Sequence, residues 1–208
     1  MNGMIKKDLF MIKNNYRSII FTIVIYIFYT IMFKMDMSFL LPFMSLMICI
    51  STFNYDDFNN WHSFATSLPK GKLNVVKSKY VISTSLIVIT ATVSILINYL
   101  INSIRNIGFD ISISVLCGEL LAIVFIMALI FPIIFKYGAE KGRIAMAVAG
   151  LSIAGIVALI TKVFKIKISP NVLTFIDSHI YIIFIILIVL MIGISYFISK
   201  KIYLKKEF

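Results

Sequence analysis

From Tyr80 to Ile104 the chain runs without one Asp, Glu, Lys or Arg, and Ile111 to Phe135 repeats the pattern with Glu119 as its single charge. A helix needs roughly 17–25 apolar residues to cross a bilayer, and backbone in hydrocarbon must satisfy its own hydrogen bonds. These two runs commit the chain to an all-α integral membrane fold. The apolar runs Ser18–Phe33, Ser38–Phe53, Ile144–Thr161 and His179–Ser199 bring the expected transmembrane helices to six, in one domain over residues 1–208. Composition agrees, with 61% hydrophobic and 14% charged residues; a soluble domain carries about 25% charged. The first two spans are joined only by "KMDM", a tight hairpin in which Lys34 and Asp36 oppose a single fused helix.

The formal charge of +11 does not point to nucleic acid, because the basic residues flank apolar runs instead of forming a separate domain. They set orientation. With the N-terminus inside, the inner segments hold Lys6, Lys7, Lys13 and Arg17, then Lys70, Lys72, Lys77 and Lys79, then Lys136, Lys141 and Arg143, then Lys200, Lys201, Lys205 and Lys206. The outer segments hold only Lys34, Arg105, Lys162, Lys165 and Lys167. Basic loops stay on the cytoplasmic side, so the expectation is a multi-pass cell-membrane protein with both termini inside. The basic N-terminal stretch lacks a small-residue cleavage site after the first apolar run and reads as retained.

The elaborate polar segment is "NYDDFNNWHSFATSLPKGK", residues 54–72. Taken as a helix ending before Pro69, it places Phe58, Trp61, Ala65 and Leu68 on one face. Asp56 and Asp57 then fall in the first turn, and Asn54 or Asp56 caps it. Two roles stay open: an interfacial helix anchored by Trp61, or a docking surface for a soluble partner. Met4–Tyr16 is a second amphipathic stretch, with Ile5, Leu9, Ile12 and Tyr16 at helical spacing, expected along the inner leaflet.

Inside the spans, Glu119 carries an insertion cost of about 2.5–3.5 kcal/mol and should face the bundle interior. Thr90, Ser94, Asn98 and Asn102 form a polar stripe on the third span. Interhelical packing and substrate passage both fit these groups. Gly150, Ala154 and Ala158 repeat at four-residue spacing, the small-residue pattern of close helix packing, either within the chain or with a second copy. Cys49 and Cys117 lie in apolar runs without metal-ligand or disulfide spacing. No P-loop, zinc-protease or serine-hydrolase motif occurs, and His62 and His179 stand apart at span edges, so no catalytic or metal site is expected.

The order of an N-terminal amphipathic helix, six spans, a polar helix after the second and an outside segment before the sixth resembles the permease subunits of ABC type 2 exporters. "YDDFNNWHSFATSLPKGKLNVVKSKY" is similar to the acidic–aromatic–basic stretch of the small half-size bacterial members, and "MIKKDLFMIKNN" is similar to their starts. The resemblance implies two permease copies, a homodimer, each seated on one of two separately encoded ATPase subunits that bind ATP and Mg. It implies that the residue 56–68 helix is a coupling helix, docking through Asp56, Asp57, Phe58, Asn60, Trp61 and Phe64. It implies that Val163–Ser178 is an outside re-entrant piece, and that the cargo is an amphipathic peptide, such as a cytolytic or antimicrobial one, passing Phe43, Met47, Asn98 and Glu119. The alternatives are a membrane sensor that recruits a soluble partner without transport and, more remotely, a membrane enzyme centred on Glu119.

Overall fold

The computed structural model describes residues 2–14, 16–33, 39–104, 113–142, 144, 148 and 170–206, and all regular structure among them is helical. The helices are α1 (Asn2–Asn14), α2 (Tyr16–Phe33), α3 (Leu40–Phe58), α4 (Trp61–Ser67), α5 (Gly71–Ile104), α6 (Ile113–Tyr137) and α7 (Pro170–Lys205). Three of them contain stretches long and apolar enough to cross a membrane, Gly71–Leu100, Leu116–Tyr137 and Phe184–Lys205. Of the expected fifth span only Ile144 and Val148 are among the described residues, and Gly150, Ala154 and Ala158 lie outside them.

Two helices outrun the spans expected of them. α5 has 34 residues and α7 has 36, lengths of about 51 and 54 Å against about 30 Å of hydrocarbon. α5 starts at Gly71, ahead of Tyr80. α7 starts at Pro170, so residues assigned to the outside segment before His179 belong to the helix. Proline suits a first helical position because its missing N–H would have no intrahelical partner there.

α6 pairs most extensively with α7, α3 with α5, and α5 bridges to α7. Where they meet, an edge-to-face aromatic cluster fills the interior. Phe53 of α3 sits 5.3 Å from Phe131 and 5.2 Å from Phe135 of α6, Tyr80 of α5 sits 5.1 Å from Phe131, and Tyr203 of α7 sits 5.3 Å from Phe135. Such pairs add about 0.5–1.5 kcal/mol each beyond area burial. Lipid is as apolar as leucine, so close packing and interhelical hydrogen bonds must hold such a bundle.

One such bond repairs a helix defect. Pro132 lies inside α6 and has no N–H for the carbonyl of Ala128. Ser195 of α7 donates to that carbonyl at 2.8 Å. With its proton committed there, Ser195 accepts from the Tyr80 hydroxyl at 2.6 Å, and Tyr80 in turn accepts from Ser199 at 2.8 Å. Three helices are thus stitched through one chain of hydroxyls. The outward faces are apolar: Phe21 and Phe28 on α2, Val88 and Leu96 on α5, Ile185, Val189 and Phe197 on α7 are all exposed. Patches of that extent need a covering medium, and a bilayer supplies it. On the third span Ser94 and Asn98 turn into the bundle, while the Asn102 side chain lies outside the described residues.

Candidate functional site

The polar segment folds differently from its local signals. α3 does not stop at Phe53 but continues through Asp56 and Asp57 to Phe58. Both acids therefore occupy the last turn of a helix and not the first turn of the next, a correction to the expected cap. Acids there oppose the helix dipole by about 0.3–1 kcal/mol each, so partners elsewhere must offset the repulsion. The chain breaks at Asn59–Asn60. The Asn59 amide side chain donates to the Tyr55 carbonyl at 2.9 Å, and Asn60 takes a left-handed conformation with φ +50°, which asparagine tolerates better than most residues. α4 then runs only from Trp61 to Ser67 and ends where Leu68 turns extended ahead of Pro69. Gly71 is required by close approach, because a Cβ there would meet the Ala65 carbonyl oxygen at 1.7 Å.

Asp56 is wholly buried, as is Asp8 of α1. Lys79 of α5 places its ammonium 3.1 Å from Asp8 Oδ1 and 2.7 Å from Asp56 Oδ2, the latter a contact of charge rather than an aligned hydrogen bond. Lys7 donates to Asp56 and lies 3.2 Å from Asp8. Lys79 also donates to Thr52 at 2.9 Å and stands 4.8 Å over the Phe53 ring, and Lys7 stands 4.4 Å over Trp61. Two cations and two carboxylates balance in one buried quartet that ties α1, α3 and α5 together and touches α4. Buried charges persist only when paired in this way. The quartet also explains the face α1 presents. Met4 and Asp8 turn inward, whereas Leu9 and Phe10 of α1, like Tyr16 at the start of α2, stay exposed.

Asp57 faces the other way. Its Oδ2 accepts the Ala139 backbone N–H at 2.8 Å, capping helical residues 139–142 after the Gly138 turn, whose φ is +90°. Its Oδ1 lies 2.9 Å from His62 Nε2, and His62 Nδ1 lies 2.7 Å from the Tyr203 hydroxyl. Burial pushes the Asp57 carboxyl up, but the His62 hydrogen bond, the Ala139 N–H and the Lys206 charge outweigh it and hold the group below its ordinary 3.8. α1, α4 and the C-terminal end of α7 thus gather at one strongly basic end of the bundle.

Two aromatic side chains stand clear of this basic end. Phe58 is 83% exposed and Phe64 55% exposed, with Trp61 half-buried at 5.0 Å from Phe64. Asn60 is exposed in the turn between them. Beside it lies a groove of about 1040 Å³ lined by Met11, Ile12, Ile48, Tyr55, Asp57, Tyr137 and Glu140, among others. A family model described as "ABC-2 family transporter protein" matches residues 3–204. The chain belongs to the ABC-2 transporter family. No curated protein and no solved structure matches it.

An ABC-2 transporter protein is a non-catalytic, multi-pass transport subunit, and membership implies a separate ATPase partner. Among the described residues no group of His, Cys, Asp and Glu could hold a metal. The residues expected along a substrate path lie on three helices of this ABC-2 protein. Phe43, stacked on Phe39 at 5.7 Å, and the partly exposed Met47 are absent from the groove lining, Asn98 is buried in helix packing, and Glu119 is half-buried on α6. Of the six expected docking residues, five are at the surface or partly so, and Asp56 is inside. The partners of Asp56 and Asp57, namely Lys7, Lys79, His62 and Ala139, carry no local sequence signal, since each comes from a different element.

Proposed function

We propose that this chain is the permease subunit of an ATP-driven exporter, working as a pair of copies on two ATPase subunits, with α4 and the end of α3 as the coupling element. The observation that carries the reading is the contrast across this element. Outward it presents Phe58 and Phe64 uncovered, and inward it is pinned by the buried quartet and by His62. A surface built to receive force needs both an exposed, apolar docking face and a stiff connection to the helices that move. Asp56 serves the connection. The docking face is Asp57, Phe58, Asn60, Trp61 and Phe64.

The basic end is the cytoplasmic one in this reading. The convergence of α1 and the end of α7 there, with Lys70, Lys72, Lys77, Lys200, Lys201 and Lys205, supports six spans and both termini inside. The cargo is an amphipathic peptide, in keeping with the resemblance to the small bacterial peptide exporters. Reconstitution with its ATPase partner tests this: proteoliposomes should show ATP-dependent movement of a cationic amphipathic helical peptide. Association with the ATPase, but ATP turnover without peptide movement, would favour the recruiting protein that transports nothing.

A further inference from the structure

α4 is joined covalently only to α3, through Asn60, and to α5, through Gly71. A push received at α4 would by that route reach α3 and α5, while α7 packs chiefly on α6. Yet the end of α7 is fastened at the same place. Tyr203 is 1% exposed, its hydroxyl lies 2.7 Å from His62 Nδ1, and its ring stands 5.7 Å from His62 and 5.3 Å from Phe135. Lys72, in the first turn of α5, donates to the Lys206 carbonyl at 2.7 Å, and Lys206 reaches the Phe135 carbonyl at 3.4 Å. Asp57 completes the arrangement. A carboxylate at Nε2 favours the tautomer with the proton there, which leaves Nδ1 to accept from the Tyr203 hydroxyl.

We propose that Tyr203, acting through His62, is a positioning residue that clasps the last transmembrane helix to α4, so that α7 moves with α4 as one body. The clasp supplies a second transmission path. One runs through the quartet to α1, α3 and α5, and the other runs through the imidazole to α7. The inference rests on the reading of α4 as the element that receives force, but the clasp itself is a property of this chain and is measurable without a partner.

Spin labels at Ser67 and Leu204, both exposed, in a Cys49→Ala/Cys117→Ala background report the α4–α7 separation. They are read in nanodiscs for the permease alone and for its complex with the ATPase trapped with ATP and vanadate. The wild type should give one narrow distance distribution that trapping leaves unchanged. Tyr203→Phe keeps the ring against Phe135 and removes only the linking hydroxyl, so the population with α4 and α7 apart should rise about fivefold. His62→Gln should act similarly. The double variant should be no worse than either single one, because both remove the same bond. An unchanged distribution in Tyr203→Phe, additive effects in the double variant, or separation on trapping in the wild type overturns the proposal. If Phe58→Asp/Phe64→Asp keeps the ATPase bound, the docking reading fails, while the labels in the isolated permease still decide the clasp.

Discussion

Lys79 reaches from α5 to within 2.7 Å of the Asp56 carboxylate at the end of α3, and neither residue is open to solvent. Removing one member of a buried pair strands the other charge. Asp56→Ala or Lys79→Ala should therefore destabilise by about 3–5 kcal/mol. The double change Asp56→Leu/Lys79→Met leaves Lys7 and Asp8 to neutralise each other and should recover most of that loss. Thermal unfolding in detergent checks the order: both single variants below the double.

The turn between α3 and α4 depends on backbone conformation. Asn60→Val puts a β-branched side chain at φ +50° and should destabilise by about 1–2 kcal/mol, whereas Asn60→Gly should be near neutral. Gly71→Ala brings a methyl against the Ala65 carbonyl and should destabilise by about 1–3 kcal/mol. Chemical-denaturant midpoints measured in one detergent separate the three.

Asp57 titrates below its ordinary 3.8 in the folded protein. A carboxyl depressed on folding gives stability that is full above its unfolded value and is lost as pH falls through the folded one. The wild type should therefore lose stability below about pH 4, the unfolded carboxylate range, more steeply than Asp57→Asn. Melting temperatures of the two proteins across that acid range are the check, and parallel curves would remove Asp57 from the account.

Ser195→Ala leaves the Ala128 carbonyl without the donor that Pro132 cannot supply, at a cost of about 1–3 kcal/mol. Pro132→Ala restores the helical N–H. The double variant should regain much of the loss, a non-additivity that thermal unfolding of the four proteins measures.

How far the sequence could be read follows from where each signal resides. The uncharged run before Ile104 and the near-uncharged one after Ile111 declare α5 and α6, because length and apolarity in lipid depend on no partner. The α3–α4 boundary is hard to read locally because Asn54, Asp56 and Asp57 are residues that cap helices when solvated. Here Lys7, Lys79 and His62, from three other elements, satisfy those acids and let α3 run on. The break falls at Asn59–Asn60, and paired asparagines tolerating a left-handed turn are its local sign. For α1, the apolar spacing marks the outer row with Leu9 and says nothing of the inward face, which the ion pair of Asp8 with Lys79 sets. Tyr203 had no signal at all, since its role exists only through His62 in the folded chain.

The most direct measurement of the coupling claim is co-purification of the partner ATPase with Phe58→Asp/Phe64→Asp. Both side chains are exposed, so the variant should fold, elute and melt like the wild type, within about 0.5 kcal/mol per site. It should lose the ATPase. Retention of a full complement of ATPase by a folded Phe58→Asp/Phe64→Asp permease would contradict the account.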